Sequence, residues 1–250
     1  MNRRLISNQS SAYLKVWVKA FIPPIILGIL RPNTLLPRKL SIFQGKDRID
    51  EKMLAYLDYE NGYFIEIGAG DGVYLSNTYY FEKYKNWRGM LVDPVLHHYI
   101  NCVQERPKSK VFLSAATSFE NGNPFVELYY AGYLSTSSSG SSDLPNPEEH
   151  ILDARNYIPE STVGVKFVSM NRTITSMLEE ALAPKFIDFF SLDVEGSELE
   201  VLKGLDFEAY KIKYILVESR SLTNVSAFLE SKSYKLINQL GSCDYLFELS

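Results

Sequence analysis

The residues best suited to chemistry begin with a glycine run, Glu66-Ile67-Gly68-Ala69-Gly70-Asp71-Gly72. It follows a short apolar segment and opens into a polar one. Glycine is needed where a chain turns sharply or where backbone must approach a ligand with no Cβ in the way, so this turn is built for backbone contact. The spacing is GxGxG. A dinucleotide fingerprint reads GxGxxG and presents a helix N-terminus to a pyrophosphate, so a phosphate is not required here. Twenty-one residues past Gly72 comes Asp93, at the end of the next apolar run. A carboxylate there can accept hydrogen bonds from both ribose hydroxyls of an adenosine. Glu66, Gly68, Ala69, Gly70, Gly72 and Asp93 are therefore the candidate cofactor residues, joined by Ser76, Asn77 and Thr78 at the start of the following helix, where N-capping explains Ser76 or Asn77 equally well.

A second group is acidic. Asp193-Val194-Glu195-Gly196 closes the nearly unbroken apolar run Phe186 to Leu192, and Glu218 closes the run Tyr214 to Val217. Strict strand alternation would send Asp193 and Glu195 apart, but at a strand-to-helix turn alternation fails and both can reach one cleft. Three carboxylates suit either proton abstraction or a hard divalent ion such as Mg2+, which takes a few carboxylate oxygens plus water. Glu198 is read as favouring the N-terminus of the next helix, where negative charge is stabilised. His97 and His98 are expected to be packed or solvent-facing. His150 lies in an irregular insert within reach of an acceptor, and a lone loop histidine says little more.

These groups need a scaffold that brings them to one edge. From Asn61 onward, β-branched and aromatic runs alternate with helical stretches, as in βα units wound into a mostly parallel sheet. Strands are predicted at Tyr63 to Ile67, Gly89 to Val92, Val111 to Ser114, Phe186 to Leu192 and Tyr214 to Val217. Helices are predicted around Ser76 to Tyr84, His97 to Glu105, Thr173 to Leu182, Ser197 to Lys203 and Asn224 to Ser231. The run Phe186 to Leu192 is nearly all apolar, as a central strand covered on both faces should be. Phe125 to Ala131 and Val165 to Met170 are further strands flanking an insert near 134–164. Its Leu134 to Asp143 stretch, LSTSSSGSSD, cannot build a core and is expected to form either a loop closing over substrate or a mobile surface loop. Finally, Tyr234 to Gln239 and Tyr245 to Leu249 are joined by a turn too short for a parallel crossover, so they form an antiparallel hairpin. The fold class is thus α/β: a Rossmann-like sheet, mostly parallel, with a C-terminal antiparallel hairpin.

Length and charge set the wider limits. At 250 residues one α/β domain is expected, assigned to 46–250, and the composition is that of a globular protein. Eight of the 26 Lys and Arg, and none of the 30 Asp and Glu, fall in residues 1–46, which leaves the remainder about 12 charges negative. Polyphosphate binding needs clustered positive surface, so a nucleic-acid substrate is not expected. The basic arm, residues 1–45, places Leu14, Trp17, Val18 and Phe21 on one helical stripe before Pro23 and Pro24 break it. Such a helix either packs on the body or lies on an anionic membrane surface; the uncharged run Ala20 to Leu30 is too short to span a bilayer. Cys102 and Cys243 form no metal or redox pattern, which suits a reducing, cytoplasmic compartment.

Three stretches resemble the FkbM family of methyltransferases: Phe64 to Gly72; Ser76-Asn77-Thr78 continuing to Trp87-Arg-Gly-Met-Leu-Val-Asp-Pro94; and, most specifically, Ile187-Asp-Phe-Phe-Ser-Leu-Asp-Val-Glu-Gly-Ser-Glu-Leu-Glu-Val-Leu-Lys-Gly204. The resemblance covers roughly residues 60 to 249, leaving out the arm and matching the insert poorly. It implies a class I methyltransferase fold, S-adenosylmethionine as donor, and an acceptor hydroxyl on a sugar, glycan or related metabolite. An alcohol is a poor nucleophile at neutral pH, so Asp193, Glu195 and Glu218 would then carry the acceptor chemistry as base or as Mg2+ ligands. Two other classes compete: an NAD-dependent oxidoreductase using the same βα turn, and a membrane-surface adaptor that keeps the fold without catalysis. Homodimerisation is a further expectation.

Overall fold

The computed structural model describes residues 41–139, 144 and 146–250. The expected amphipathic helix at Leu14 to Phe21 and the Ser-rich residues 140–143 lie outside the described residues. After a 3-10 turn at Lys46–Arg48 come two one-turn helices, α1 (Ile49–Lys52) and α2 (Leu54–Leu57), too short to show a helical period in the sequence. Then follow β1 (Tyr63–Ile67), α3 (Tyr79–Tyr84), β2 (Arg88–Asp93), α4 (Leu96–Glu105), β3 (Ser109–Leu113), β4 (Ala115–Ala116), β5 (Phe125–Tyr130), β6 (Thr136–Ser137) and α5 (Pro147–His150). The remainder is β7 (Val165–Arg172), α6 (Ile174–Glu180), β8 (Phe186–Leu192), α7 (Glu198–Leu202), β9 (Lys211–Glu218), α8 (Leu222–Ser231), β10 (Tyr234–Gln239) and β11 (Asp244–Leu249).

Seven strands form the main sheet in the order β10-β11-β9-β8-β1-β2-β3. The pairs from β9 through β3 are parallel, while β11 runs antiparallel to both β9 and β10. That is the expected mostly parallel sheet ending in a hairpin. Side chains alternate between two cores, as strand geometry requires. Ile65, Ile67, Phe190, Leu192 and Ile215 face α6, α7 and α8 through Met177, Leu202 and Leu229. Phe64, Leu91, Phe189 and Leu216 face the other layer, packing on Ile49, Met53, Leu57 and Phe81. Both faces of β1 and β8 are covered, which is why their sequences are continuous apolar runs.

The strands around the insert make a second sheet, β4-β7-β5-β6, in which β5 pairs antiparallel with β7 from Phe125↔Met170 to Tyr130↔Val165. The sequence marked these two strands but not their partnership. β7 and β9 are longer than expected, and α3 starts at Tyr79 instead of Ser76. The cause of that shift is local: Ser76 Oγ accepts from Thr78 N and Tyr79 N, holding the chain in a turn before the helix begins. No described helix is long and apolar enough to cross a membrane.

Candidate active site

Parallel strands deliver their carboxyl ends to one edge, and there the sheet order brings β2, β1, β8 and β9 side by side. Their terminal residues are Asp93, Ile67, Leu192 and Glu218, each running into a loop. Ligands of open α/β sheets bind in the crevice at this edge.

The glycine turn after β1 is positioned by backbone and by buried side chains. Gly68 N and Ala69 N both donate to Val92 O, tying the turn to β2. Gly68 (φ +82°) presses on the start of the acidic turn after β8. A methyl group placed on it would fall 1.6 Å from Asp193 O, so no other residue fits. Asp93, 5% exposed, accepts from Gly70 N at 2.9 Å and from Val95 N at 2.9 Å, and its Oδ1 lies 3.2 Å from His98 Nδ1. A carboxylate has about four acceptor positions, so three partners leave room for a ribose hydroxyl.

Glu66 is differently employed. Its carboxylate accepts from Ser76 Oγ (2.8 Å), Asn77 N (2.8 Å) and Thr78 Oγ1 (2.6 Å), so it positions the very segment that the sequence grouped with it. Behind this network sits Arg106, fully buried. Its guanidinium donates to Glu82 Oε2 (2.9 Å), Gly72 O (2.9 Å), Ser76 Oγ (3.2 Å) and Thr78 Oγ1 (2.8 Å). One planar fork thereby fixes both ends of the loop between the glycines and α3. Sequence reasoning missed Arg106, and nothing in its neighbourhood along the chain points to it. Asn77 donates through Nδ2 to Ser191 Oγ, while its Oδ1 is buried with no hydrogen-bond partner among the described residues.

The structure brings Asp193, Glu195 and Glu218 together, with one oxygen of each inside a 4.8 Å cluster. Glu195 (φ +56°) and Gly196 (φ +104°) are both left-handed, a conformation that breaks strand alternation and turns both acidic side chains toward the same place. Thr136 Oγ1 supports this bend by donating to Glu195 O at 2.8 Å. Glu198 folds back to accept from Val194 N and Gly196 N, a capping role at the start of α7.

The three carboxyls live in different fields. Glu195 accepts from Arg220 at 2.6 Å, and His150 Nε2 approaches the same oxygen to 3.1 Å without hydrogen-bond alignment. Burial works to raise the Glu195 pKa, but His150 and Arg220 outweigh it and hold the group below its ordinary value. Lys46 reaches Glu218 at 3.4 Å, and that attraction raises the Lys46 pKa against the opposing effect of burial. Among the described residues no cationic side chain forms an ion pair with Asp193, and Lys46 acts on it only at longer range. Dense packing, then Glu195 and Glu218, push its pKa well above the usual carboxylate value, although the residue keeps some exposure to the cleft. Of the partners, Arg220 follows Glu218 by two residues at the same strand end, a signal the sequence offered. Lys46 and Thr136 carried none.

The histidines separate. His98 is buried, His97 packs edge-on against it and against Tyr130, and His150 joins Glu195. Both cysteines are free.

The sequence model of the Methyltransferase FkbM domain matches residues 66–247. No curated protein matches the chain. Among solved structures, a methyltransferase FkbM from Methylobacillus flagellatus KT is 14% identical, with a TM-score of 0.46 over 78% of this chain and 45% of that one. A SAM-dependent methyltransferase from Aquifex aeolicus is 13% identical over 90% of this chain and 96% of that one, with a TM-score of 0.37. A precorrin-6y C5,15-methyltransferase from Geobacter metallireducens GS-15 is 11% identical over 86% and 90%, with a TM-score of 0.41. This chain therefore spans less than half the length of the Methylobacillus protein.

Proposed function

This chain belongs to the FkbM methyltransferase domain family, and from that premise we propose that it transfers the methyl group of S-adenosylmethionine to a hydroxyl oxygen of a sugar, glycan or related small metabolite. The observation that carries the reading is the contact of Gly68 with Asp193 O, which sets the glycine turn directly beside a carboxyl of raised pKa.

The donor supplies an electrophilic methyl on a sulfonium; the residues present fit it. Asp93 retains acceptor capacity for ribose. Gly70 offers a backbone face on which only a side chain, Tyr133, encroaches. The unpartnered Asn77 Oδ1 is an acceptor of the kind an ammonium group requires. Ser76 and Thr78 spend their hydroxyls on Glu66, so they shape the pocket and Asn77 is the member of that trio with an oxygen to spare.

On the acceptor side Asp193 is the base. As the new oxygen–carbon bond forms and the sulfur–carbon bond breaks, the hydroxyl proton passes to the Asp193 carboxylate. A carboxyl with a raised pKa is the better proton acceptor, and general-base assistance contributes about a hundred- to ten-thousand-fold in rate. Glu195, pinned by Arg220 and His150, orients the turn and does not take the proton. The same pairings bear on Mg2+: Glu195 and Glu218 already face the cationic side chains of Arg220 and Lys46. With two of its three carboxylates already charge-paired, this donor set does not fit a resident divalent ion.

The test is incubation with methyl-labelled S-adenosylmethionine and a panel of sugars, glycans and small alcohols, with excess chelator in parallel. Label in an alkali-stable ether, insensitive to chelation, is expected. Label transferred only to amines, or to nothing in the panel, would overturn the acceptor assignment.

A further inference from the structure

Tyr133 comes from the turn between β5 and β6, 62 residues from Asp71, yet it lies on the glycine turn. Its ring is the group that a methyl on Gly70 would strike, at 2.8 and 2.9 Å. The ring stacks on His98 with centroids 5.0 Å apart and planes 20° apart, and it leans on Tyr74 at 5.4 Å. Its hydroxyl donates to Asp71 Oδ2 at 2.9 Å. His98 in turn touches Asp93.

These partners are the groups an adenosine would use: a glycine backbone face, a stacking ring beside the ribose carboxylate, and an acidic acceptor for a hydroxyl. A flat ring in van der Waals contact with both Gly70 and His98 leaves no slot for a second flat ring between them. We propose that Tyr133 is a donor-site residue supplied by the turn between β5 and β6, whose ring takes the place that the donor's adenosine needs and is displaced when donor binds. This rests on the donor reading given above.

The way the ring is held agrees with a role as a displaceable occupant. Tyr133 is 41% exposed and its single hydroxyl bond goes to a partly exposed carboxylate, so its release costs one modest hydrogen bond and the packing on His98 and Tyr74. The turn that carries it is a compact unit. Leu134 N donates to Ala131 O, Ala131 N to Ser135 Oγ, and Ser135 Oγ to Gly132 O, with Gly132 at φ +63°. Such a turn swings as a body about its ends. At its far end Thr136 holds Glu195 O, so donor entry is felt at the bend that presents the acidic cluster.

A protein whose binding-competent form is a minority binds its ligand more weakly by that fraction. Calorimetric titration of wild type, Tyr133→Phe and Tyr133→Ala with S-adenosylhomocysteine reads it directly. The alanine variant is expected to bind about tenfold tighter, as it would if the ring occupies the site roughly nine-tenths of the time. The phenylalanine variant, lacking only the bond to Asp71, falls between. Amide exchange in residues 131–135 of the wild type should rise on adding the ligand. Weaker binding by the alanine variant would make the ring a wall that packs on bound donor, and equal binding would put it outside the site; either result overturns the proposal. Failure of both wild type and alanine variant to bind would instead sink the donor reading, and this proposal with it.

Discussion

The half of the cleft proposed to take the donor and the half proposed to take the acceptor are held by different means. In the donor half, Glu66, Arg106, Ser76, Thr78 and Asp93 are buried and bonded to one another or to backbone, and all lie on two consecutive βα units between Phe64 and Arg106. In the acceptor half, Lys46, Thr136, His150, Asp193, Glu195, Glu218 and Arg220 arrive from five separated segments and meet mainly through charge. The first arrangement resists change and presents a fixed surface, as suits a ligand that is the same at every turnover. The second is partly exposed and built from side chains, so its shape and charge can be altered without disturbing the sheet.

The sharpest break should come where the halves touch. Gly68→Ala would put a methyl group on a backbone carbonyl at a left-handed position, costing roughly 3 kcal/mol or more of stability and abolishing both donor binding and turnover. A melt combined with a ligand titration checks it, and an active, stable alanine variant would mean that the two halves are not in contact in solution. Asp193→Asn should separate them: turnover falls about a hundred- to ten-thousand-fold while S-adenosylhomocysteine binding stays near that of wild type. Retained turnover would remove Asp193 from the chemistry.

A smaller effect concerns the wall shared by the donor half and the insert. Burial, and next the neighbouring His98, push the His97 pKa down to about 4 from 6.5. The unfolded chain therefore binds the extra proton between those values, so this part of the stability is intact above pH 6.5 and is lost as pH falls toward 4. Solvent screening of the half-buried ring holds the loss to about 2 kcal/mol, below the full value of the shift. His97→Phe should flatten the acid side of a melting-temperature profile between pH 7 and 4.5; an unchanged profile would show that His97 is not buried as described. Chelation should have the least effect of all, leaving turnover unaltered, and a loss restored by added Mg2+ would return the three carboxylates to service as metal ligands.

The same contrast decides what could be read from the sequence. The main sheet was legible because apolar runs of strand length alternate with helical periods and the final two runs are too close for a crossover. The glycine turn and Asp93 were legible because a backbone turn and its carboxylate lie within one contiguous unit. Asp193, Glu195 and Glu218 could be placed at one edge by strand order, but their electrostatics could not, since Arg220, His150 and Lys46 reach them through loops whose paths no periodicity encodes. Arg106 was invisible for a related reason: a buried arginine is recognised by its partners, and Glu82, Gly72 and Thr78 become its partners only once α3 and α4 pack. The pairing of β5 with β7, across an irregular insert, is likewise a long-range contact that local pattern does not specify.

The central claim is that this edge of the sheet binds a methyl donor. Calorimetric titration of the protein with S-adenosylhomocysteine, with NAD as the control ligand, tests it most directly. Saturable binding of S-adenosylhomocysteine at one site, with none of NAD, is the result this account predicts; binding of NAD in its place would contradict it.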